Sequence, residues 1–228
     1  MKGNKDGKAR LPSAFPVAIV GVGCRFPGAR GSEELWRALM DRRCSVREVP
    51  QHRIDLGYSV DHYFDPRERI PGRISSAKAG FIEHPERFDP VRFGLTPRDA
   101  AVMEPQARMM LEVTWDAIED AGIPFEALRG ERVAVIVGHT AEDFSRERIA
   151  VLGEDYAMRS LDVRTAIGYA RAVISGRISH LLDLRGPSMT VDTACSSSLY
   201  ATHQACQSLW VGERVGRQRR WVGQTPFP

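Results

Sequence analysis

The chain has 228 residues, 43% of them hydrophobic and 27% charged, a composition suited to one large or two small globular domains and unlike that of a wholly disordered, collagenous or membrane-spanning chain. The net charge of +3 is unevenly placed. Both ends are basic and the span between them is mildly acidic, so a nucleic-acid reading would rest on short tails alone and is set aside.

Residues 1–15 read as a disordered basic lead-in without the apolar stretch of a signal peptide. Val17-Ala-Ile-Val-Gly-Val-Gly23 reads as a buried strand closed by glycines. Ser32 is a candidate N-cap for a helix over Glu33 to Met40, with acids in its first turn. Residues 41–95 carry five scattered prolines and no period, the pattern of a long functional or interface excursion. Met103, Ala107, Met110, Leu111, Thr114 and Ile118 lie on one face of a helical stretch over 97–121. Pro105 suits a first helical turn and places a break near Met103–Glu104, while Gly122 and Pro124 end the helix. Arg132 to Gly138 and Met189 to Thr193 read as strands, and 164–182 and 196–211 as helices. In the last of these, Leu199, Thr202, Cys206 and Leu209 lie along one side. Alternating strands and helices define an α/β class.

Gly21-Val-Gly23 after a strand suggests a dinucleotide loop, but Phe26 occupies the place of the third glycine and Pro27-Gly28 would break the required helix. The four cysteines, Cys24, Cys44, Cys195 and Cys206, form no C-x-x-C pair, so neither a zinc site nor a disulfide framework is suggested and a reducing, cytoplasmic setting is the default. Cys195 stands apart because Val191-Asp-Thr-Ala-Cys195-Ser-Ser-Ser-Leu199 places it between a strand and a helix start, where free amides and the helix dipole favour a nucleophilic thiolate. The same local pattern also reads as a small buried hydrophobe, a frequent fate of free cysteine. Core packing is the reading for Cys24, Cys44 and Cys206. None of the six histidines has the spacing of a partner. His203 is two helical turns from Cys195, about 12 Å along the axis, and His139 ends a strand without a companion motif.

The nucleophile segment resembles the active-site motif of β-ketoacyl synthase domains of polyketide synthases. Pro16 to Gly28, Phe88 to Arg98, Met103 to Arg108, Leu111 to Gly122 and Leu184 to Ser188 resemble further segments of that domain in the expected order. The resemblance covers residues 16–213. It implies the N-terminal half of a thiolase-like fold, with a mixed sheet, helices on both faces and a homodimeric intact domain. It implies Cys195 as the nucleophile that accepts an acyl chain from an acyl carrier protein, with its own backbone N–H as an oxyanion donor. A carrier-bound malonyl-type extender then loses CO₂ and attacks the thioester. No metal or nucleotide is implied for this domain, and the phosphopantetheine arm belongs to the carrier protein.

Three departures accompany the resemblance. The family's two histidine motifs, His-Gly-Thr-Gly-Thr and a later Gly-His, do not occur in the 228 residues, so condensation by this chain alone is not expected. Glu104 stands where the family has Asp before Pro-Gln, which lengthens an expected helix-capping side chain. Residues 214–228 are arginine-rich without a strand period and read as a frame-shifted or non-homologous basic tail. An acyltransferase half-domain, a non-catalytic interaction piece, and an unrelated cysteine enzyme are the three readings the sequence leaves, in that order.

Overall fold

The computed structural model describes residues 15–55, 60–61, 63–67, 70–140, 168 and 170–211. The lead-in up to residue 14, the tail from 214 and the segment 164–167 therefore lie outside the described residues.

The Val17–Gly23 run forms no strand, which corrects the sequence reading. It is an extended segment leading into a small antiparallel pair, β1 (Arg25–Phe26) and β2 (Ala29–Arg30). Helix α1 (Ser32–Met40) follows. Its N-cap is Gly31 and not Ser32. Gly31 has φ 114° and no side chain to cap with, and the neighbouring Arg30 amide instead donates to the Glu34 carboxylate at 2.8 Å. The 41–95 excursion is less irregular than its prolines suggest. It holds β3 (Val46–Glu48) paired antiparallel with β4 (Lys78–Gly80), the short helix α2 (Gln51–Asp55), and a 3₁₀ turn at Val91–Phe93.

The expected helix break is present. Helix α3 (Pro97–Ala101) is capped by Thr96, whose hydroxyl oxygen accepts from the Asp99 amide at 3.1 Å. Helix α4 (Pro105–Asp120) begins afresh with Pro105 in its first turn. Glu104 does not cap α4 with its side chain, contrary to expectation. Its carboxylate is buried, and only its backbone carbonyl receives the Ala107 and Arg108 amides at the helix start. Gly122 takes the left-handed conformation, φ 63°, that closes the helix.

A 3₁₀ turn (Phe125–Ala127) leads to β5 (Val135–Gly138), α5 (Ala172–Leu181), β6 (Ser188–Val191) and α6 (Ser197–Trp210). Strands β5 and β6 run parallel, with Val135 opposite Ser188 and Gly138 opposite Val191. Alternate residues of a strand point to opposite faces. On one face Val137 joins Met103, Leu111, Ile174, Ile178 and Phe93 in the principal core. On the other, Gly138 meets α6 so closely that a Cβ there would stand 2.5 Å from the Ser197 carbonyl carbon. Helices therefore cover both faces of the parallel pair. The described sheets are three two-stranded units, two antiparallel and one parallel.

Close approach by α6 is possible because its buried residues are small: Ser197, Ala201 and Ser208. Leu199, which shares one side of the helix with Thr202, Cys206 and Leu209 in the sequence reading, is 76% exposed. Strand β6 is tied to α5 by hydroxyls, with Thr190 Oγ1 donating to Ser175 Oγ at 3.2 Å and Ser179 Oγ to Ser188 Oγ at 2.9 Å. Aromatic rings extend the core away from the strands: Trp115 stacks on Phe125 with ring centres 3.9 Å apart and meets Phe93 edge-on at 5.8 Å. The first described residue is tied to the last helix by Trp210 Nε1, which donates to the Phe15 carbonyl at 2.9 Å.

Candidate active site

Strand β6 stops at Val191, two residues short of the sequence reading, because the chain must turn to enter α6. The turn is sharp. Ala194 adopts φ +53°, the left-handed region, which is costly for a residue with a Cβ. Immediately after it, Cys195 stands exposed between strand and helix. This is the junction expected for a nucleophile, and exposure removes the alternative that Cys195 is a buried hydrophobe. Of the other cysteines, Cys44 is exposed, which corrects its expected core placement, and Cys24 and Cys206 are half-buried.

Hydroxyls hold the turn from within. Ser197 Oγ donates to the Ala194 carbonyl at 2.7 Å and accepts from the Thr193 amide at 2.9 Å. Ser196 Oγ donates to the Thr193 carbonyl at 2.7 Å. The amides that flank Cys195 are engaged inside the turn, that of Ala194 by the Asp192 carboxylate and that of Ser196 by the Thr193 carbonyl.

Asp192 is the residue that sequence reasoning passes over. Its carboxylate accepts from the Ala194 amide at 2.9 Å, from Thr140 Oγ1 at 3.0 Å and from the Arg171 guanidinium at 2.5 Å. The Ala194 amide, then the Thr140 hydroxyl and the Arg171 charge, hold its pKa below the ordinary carboxylate range. An Asp two residues before a left-handed alanine is a legible Asx-turn signal. Thr140, just beyond β5, and Arg171, just before α5, carry no sequence signal for this role.

The histidines are scattered. His139 is buried at the end of β5, its amide donating to the Val191 carbonyl at 3.0 Å. His203 and His180 are exposed on α6 and α5. His52 and His84 lie together in the 41–95 excursion, ring centres 4.8 Å apart. His62 lies outside the described residues. No described helix is long and apolar enough to cross a membrane.

A parallel strand pair covered on both faces, with an exposed cysteine at a strand-to-helix turn, has counterparts among known proteins. Residues 14–215 match the family described as "Beta-ketoacyl synthase, N-terminal domain". The chain belongs to that family, within the thiolase-like class of α/β proteins. It is 43% identical over 209 residues to a phenolphthiocerol/phthiocerol polyketide synthase polypeptide of Mycobacterium tuberculosis, a match covering 91% of this chain and 13% of that protein. It is also 43% identical over 199 residues to a second polypeptide of the same synthase from that species, covering 87% of this chain and 10% of that protein. Among solved structures it is similar to the oxazolomycin ketosynthase domain OzmH KS7 of Streptomyces albus JA3453, with a TM-score of 0.75 and 33% identity over 86% of this chain and 32% of that one. The ketosynthase from module 6 of the bacillaene synthase of Bacillus subtilis 168 gives a TM-score of 0.69 at 33% identity, over 86% of this chain and 30% of that one. The chain thus spans about a third of the solved ketosynthase chains it matches and a smaller share of the synthase polypeptides. Its family is one of acyltransferases that work with carrier proteins and acyl thioesters.

Proposed function

We propose that this chain supplies the acyl-accepting step of a polyketide-type β-ketoacyl synthase, with Cys195 as nucleophile. The observation that carries the reading is the exposed Cys195 set directly after a left-handed turn at the carboxyl edge of a parallel strand pair. The substrate is an acyl thioester on the phosphopantetheine arm of an acyl carrier protein. Cys195 Sγ, as thiolate, attacks the thioester carbonyl, and a new C–S bond forms as the carbonyl oxygen gains negative charge. The Cys195 amide, at the start of α6, is the donor assigned to that oxyanion. Collapse of the tetrahedral intermediate breaks the original C–S bond. The pantetheine sulfur leaves and takes up the proton that Cys195 released.

The later step, decarboxylation of a malonyl-type extender and attack of its carbanion on the Cys195 thioester, calls for the two histidine motifs absent from these 228 residues. Acyl capture is therefore the half-reaction assigned here. The chemistry uses no metal or nucleotide of the domain's own, and the reading carries with it a homodimeric intact domain acting in the cytoplasm.

Incubating the full chain with a short acyl-pantetheine thioester, followed by intact-mass and peptide mapping, tests the reading. A single acyl adduct on Cys195, lost in Cys195→Ala, is expected. Acylation of Cys44 in place of Cys195, or no adduct at all, overturns it. Iodoacetamide is expected to modify Cys195 ahead of Cys44, which is also exposed.

A further inference from the structure

We infer that Asp192 is a positioning residue for Cys195, setting the oxyanion-donating amide by clamping the turn from three directions; this rests on the acyl-transfer reading above.

The three donors to the Asp192 carboxylate come from three parts of the fold. The Ala194 amide belongs to the turn itself, Thr140 follows β5, and Arg171 precedes α5. One oxygen, Oδ1, receives both the Ala194 amide and the Thr140 hydroxyl, while Oδ2 receives the guanidinium. The arrangement has a directional consequence. The peptide plane that presents the Cys195 amide is fixed on its N-terminal side by the torsions of Ala194, which sits in a left-handed conformation that an alanine does not hold by preference. Pulling the Ala194 amide toward Oδ1 favours that conformation. Thr140 and Arg171 in turn fix the carboxylate relative to the ends of β5 and α5. On the far side, Ser197 locks the same turn to α6. Asp192 thus couples the oxyanion amide to the sheet, and Ser197 couples it to the helix. Asp192 acts through Ala194, whose amide it holds.

A clamp of this kind separates two reactions of one thiol. Alkylation by iodoacetamide needs only an exposed sulfur. Acyl transfer from a thioester also needs an amide aimed at the developing oxyanion, and removing one such donor typically costs about 10²–10³ in rate. Loss of aim without loss of the donor should cost less, on the order of 10-fold.

The experiment compares the full chain with Asp192→Ala, Asp192→Asn and Thr140→Val, measuring Cys195 acylation by a short acyl-pantetheine thioester and Cys195 alkylation by iodoacetamide on the same samples. Asp192→Ala is expected to slow acylation about 10-fold or more while alkylation changes less than about 3-fold. Asp192→Asn, which keeps an oxygen for the Ala194 amide, is expected to recover at least part of the acylation rate. Thr140→Val, with a smaller loss in the same direction, keeps the test open if Asp192→Ala fails to fold. Equal acylation in folded Asp192→Ala or Thr140→Val and in the unsubstituted chain overturns the positioning role and leaves the acyl-transfer reading standing. Parallel loss of acylation and alkylation also overturns it, since that is the mark of a merely structural residue. If the unsubstituted chain acylates no cysteine, the underlying reading fails and the role of Asp192 falls with it.

Discussion

Two apolar runs of the same chain meet different fates. Val17–Gly23 and Val135–Gly138 are alike in composition, and both end on glycines beside a helix. Val135–Gly138 finds a parallel partner in β6 and helices on either face, and Val137 is buried. Val17–Gly23 lies along α4. Gly21 and Gly23 rest against the Ala117 and Val113 carbonyls, where a Cβ would come within 2.2 and 2.0 Å, and the Val22 amide donates to Asp120 at 2.8 Å. Its Val22 amide and its glycines are used by a helix, and no described strand pairs with it. Ile19 is left 84% exposed. Apolarity marks a segment as wanting burial; a neighbouring strand with a free edge decides whether it becomes part of a sheet.

The largest test of this contrast is at the core beneath β5. Met103 is wholly buried there, and Met103→Ala should lower the unfolding free energy by about 2–5 kcal/mol in chemical denaturation. A loss under about 1 kcal/mol would show that Met103 contributes no more than the solvent-facing side chains of Val17–Gly23.

The glycines offer a paired test. Gly138→Ala and Gly23→Ala each force a Cβ into helix backbone and should each cost about 1–3 kcal/mol. They should differ at the site. Gly138→Ala pushes on Ser197, the residue that locks the Cys195 turn, and should slow Cys195 acylation among molecules that remain folded. Gly23→Ala presses on α4 and should leave that rate unchanged. Equal effects at Cys195 would mean that the two regions are not mechanically separate.

Smaller still is the effect expected at the exposed run. Ile19→Ser should change stability by less than about 0.5 kcal/mol. Ile19 and Val20, with Trp36, Leu39 and Met40 of α1, leave apolar side chains facing solvent, an arrangement that promotes association. The purified chain is therefore expected to self-associate in size-exclusion chromatography with light scattering and to bind hydrophobic dyes, and Ile19→Ser should reduce both. A clean monomer without dye binding would show that this surface is closed in solution.

The smallest effect is electrostatic. Asp192 is held below the ordinary carboxylate range in the folded chain, chiefly by the Ala194 amide. A depressed carboxylate contributes stability that is present above its unfolded pKa and disappears as pH falls through its folded one. The melting temperature of the unsubstituted chain, less that of Asp192→Asn, should therefore shrink below about pH 4. A difference that stays constant across that window would show that the carboxylate's charge plays no part.

Legibility follows the same division. The helix break at Met103–Glu104, the α4 terminator at Gly122, the existence of the last two strands and the Cys195 junction all rest on local rules, and all are readable from residues near one another in sequence. What escapes is decided by distant partners. The Val17–Gly23 run reads wrongly as a strand because its partner Asp120, on α4, lies 98 residues further along the chain. The side of α6 that carries Leu199 is legible as a stripe, but which face packs inward is not, because the approach of β5 demands small residues there. Asp192 is legible as a turn former, but its partners Thr140 and Arg171 arrive from other elements and leave no local trace.

The bond from Trp210 to the Phe15 carbonyl has a consequence for the order in which the molecule assembles. It spans a sequence separation of 195 residues, and closing a flexible loop of that length costs about 5 kcal/mol of chain entropy before any constant term. One hydrogen bond, worth about 1 kcal/mol net, does not offset that. The contact becomes favourable once the intervening chain has already contracted. The Val22–Asp120 link at roughly half that separation, and then the α6 packing on β5, shorten the remaining loop in stages. The N-terminal segment should therefore be a late arrival in folding, its amides gaining protection from hydrogen exchange after those of α4 and β5, and its docking reporting that α6 is already in place.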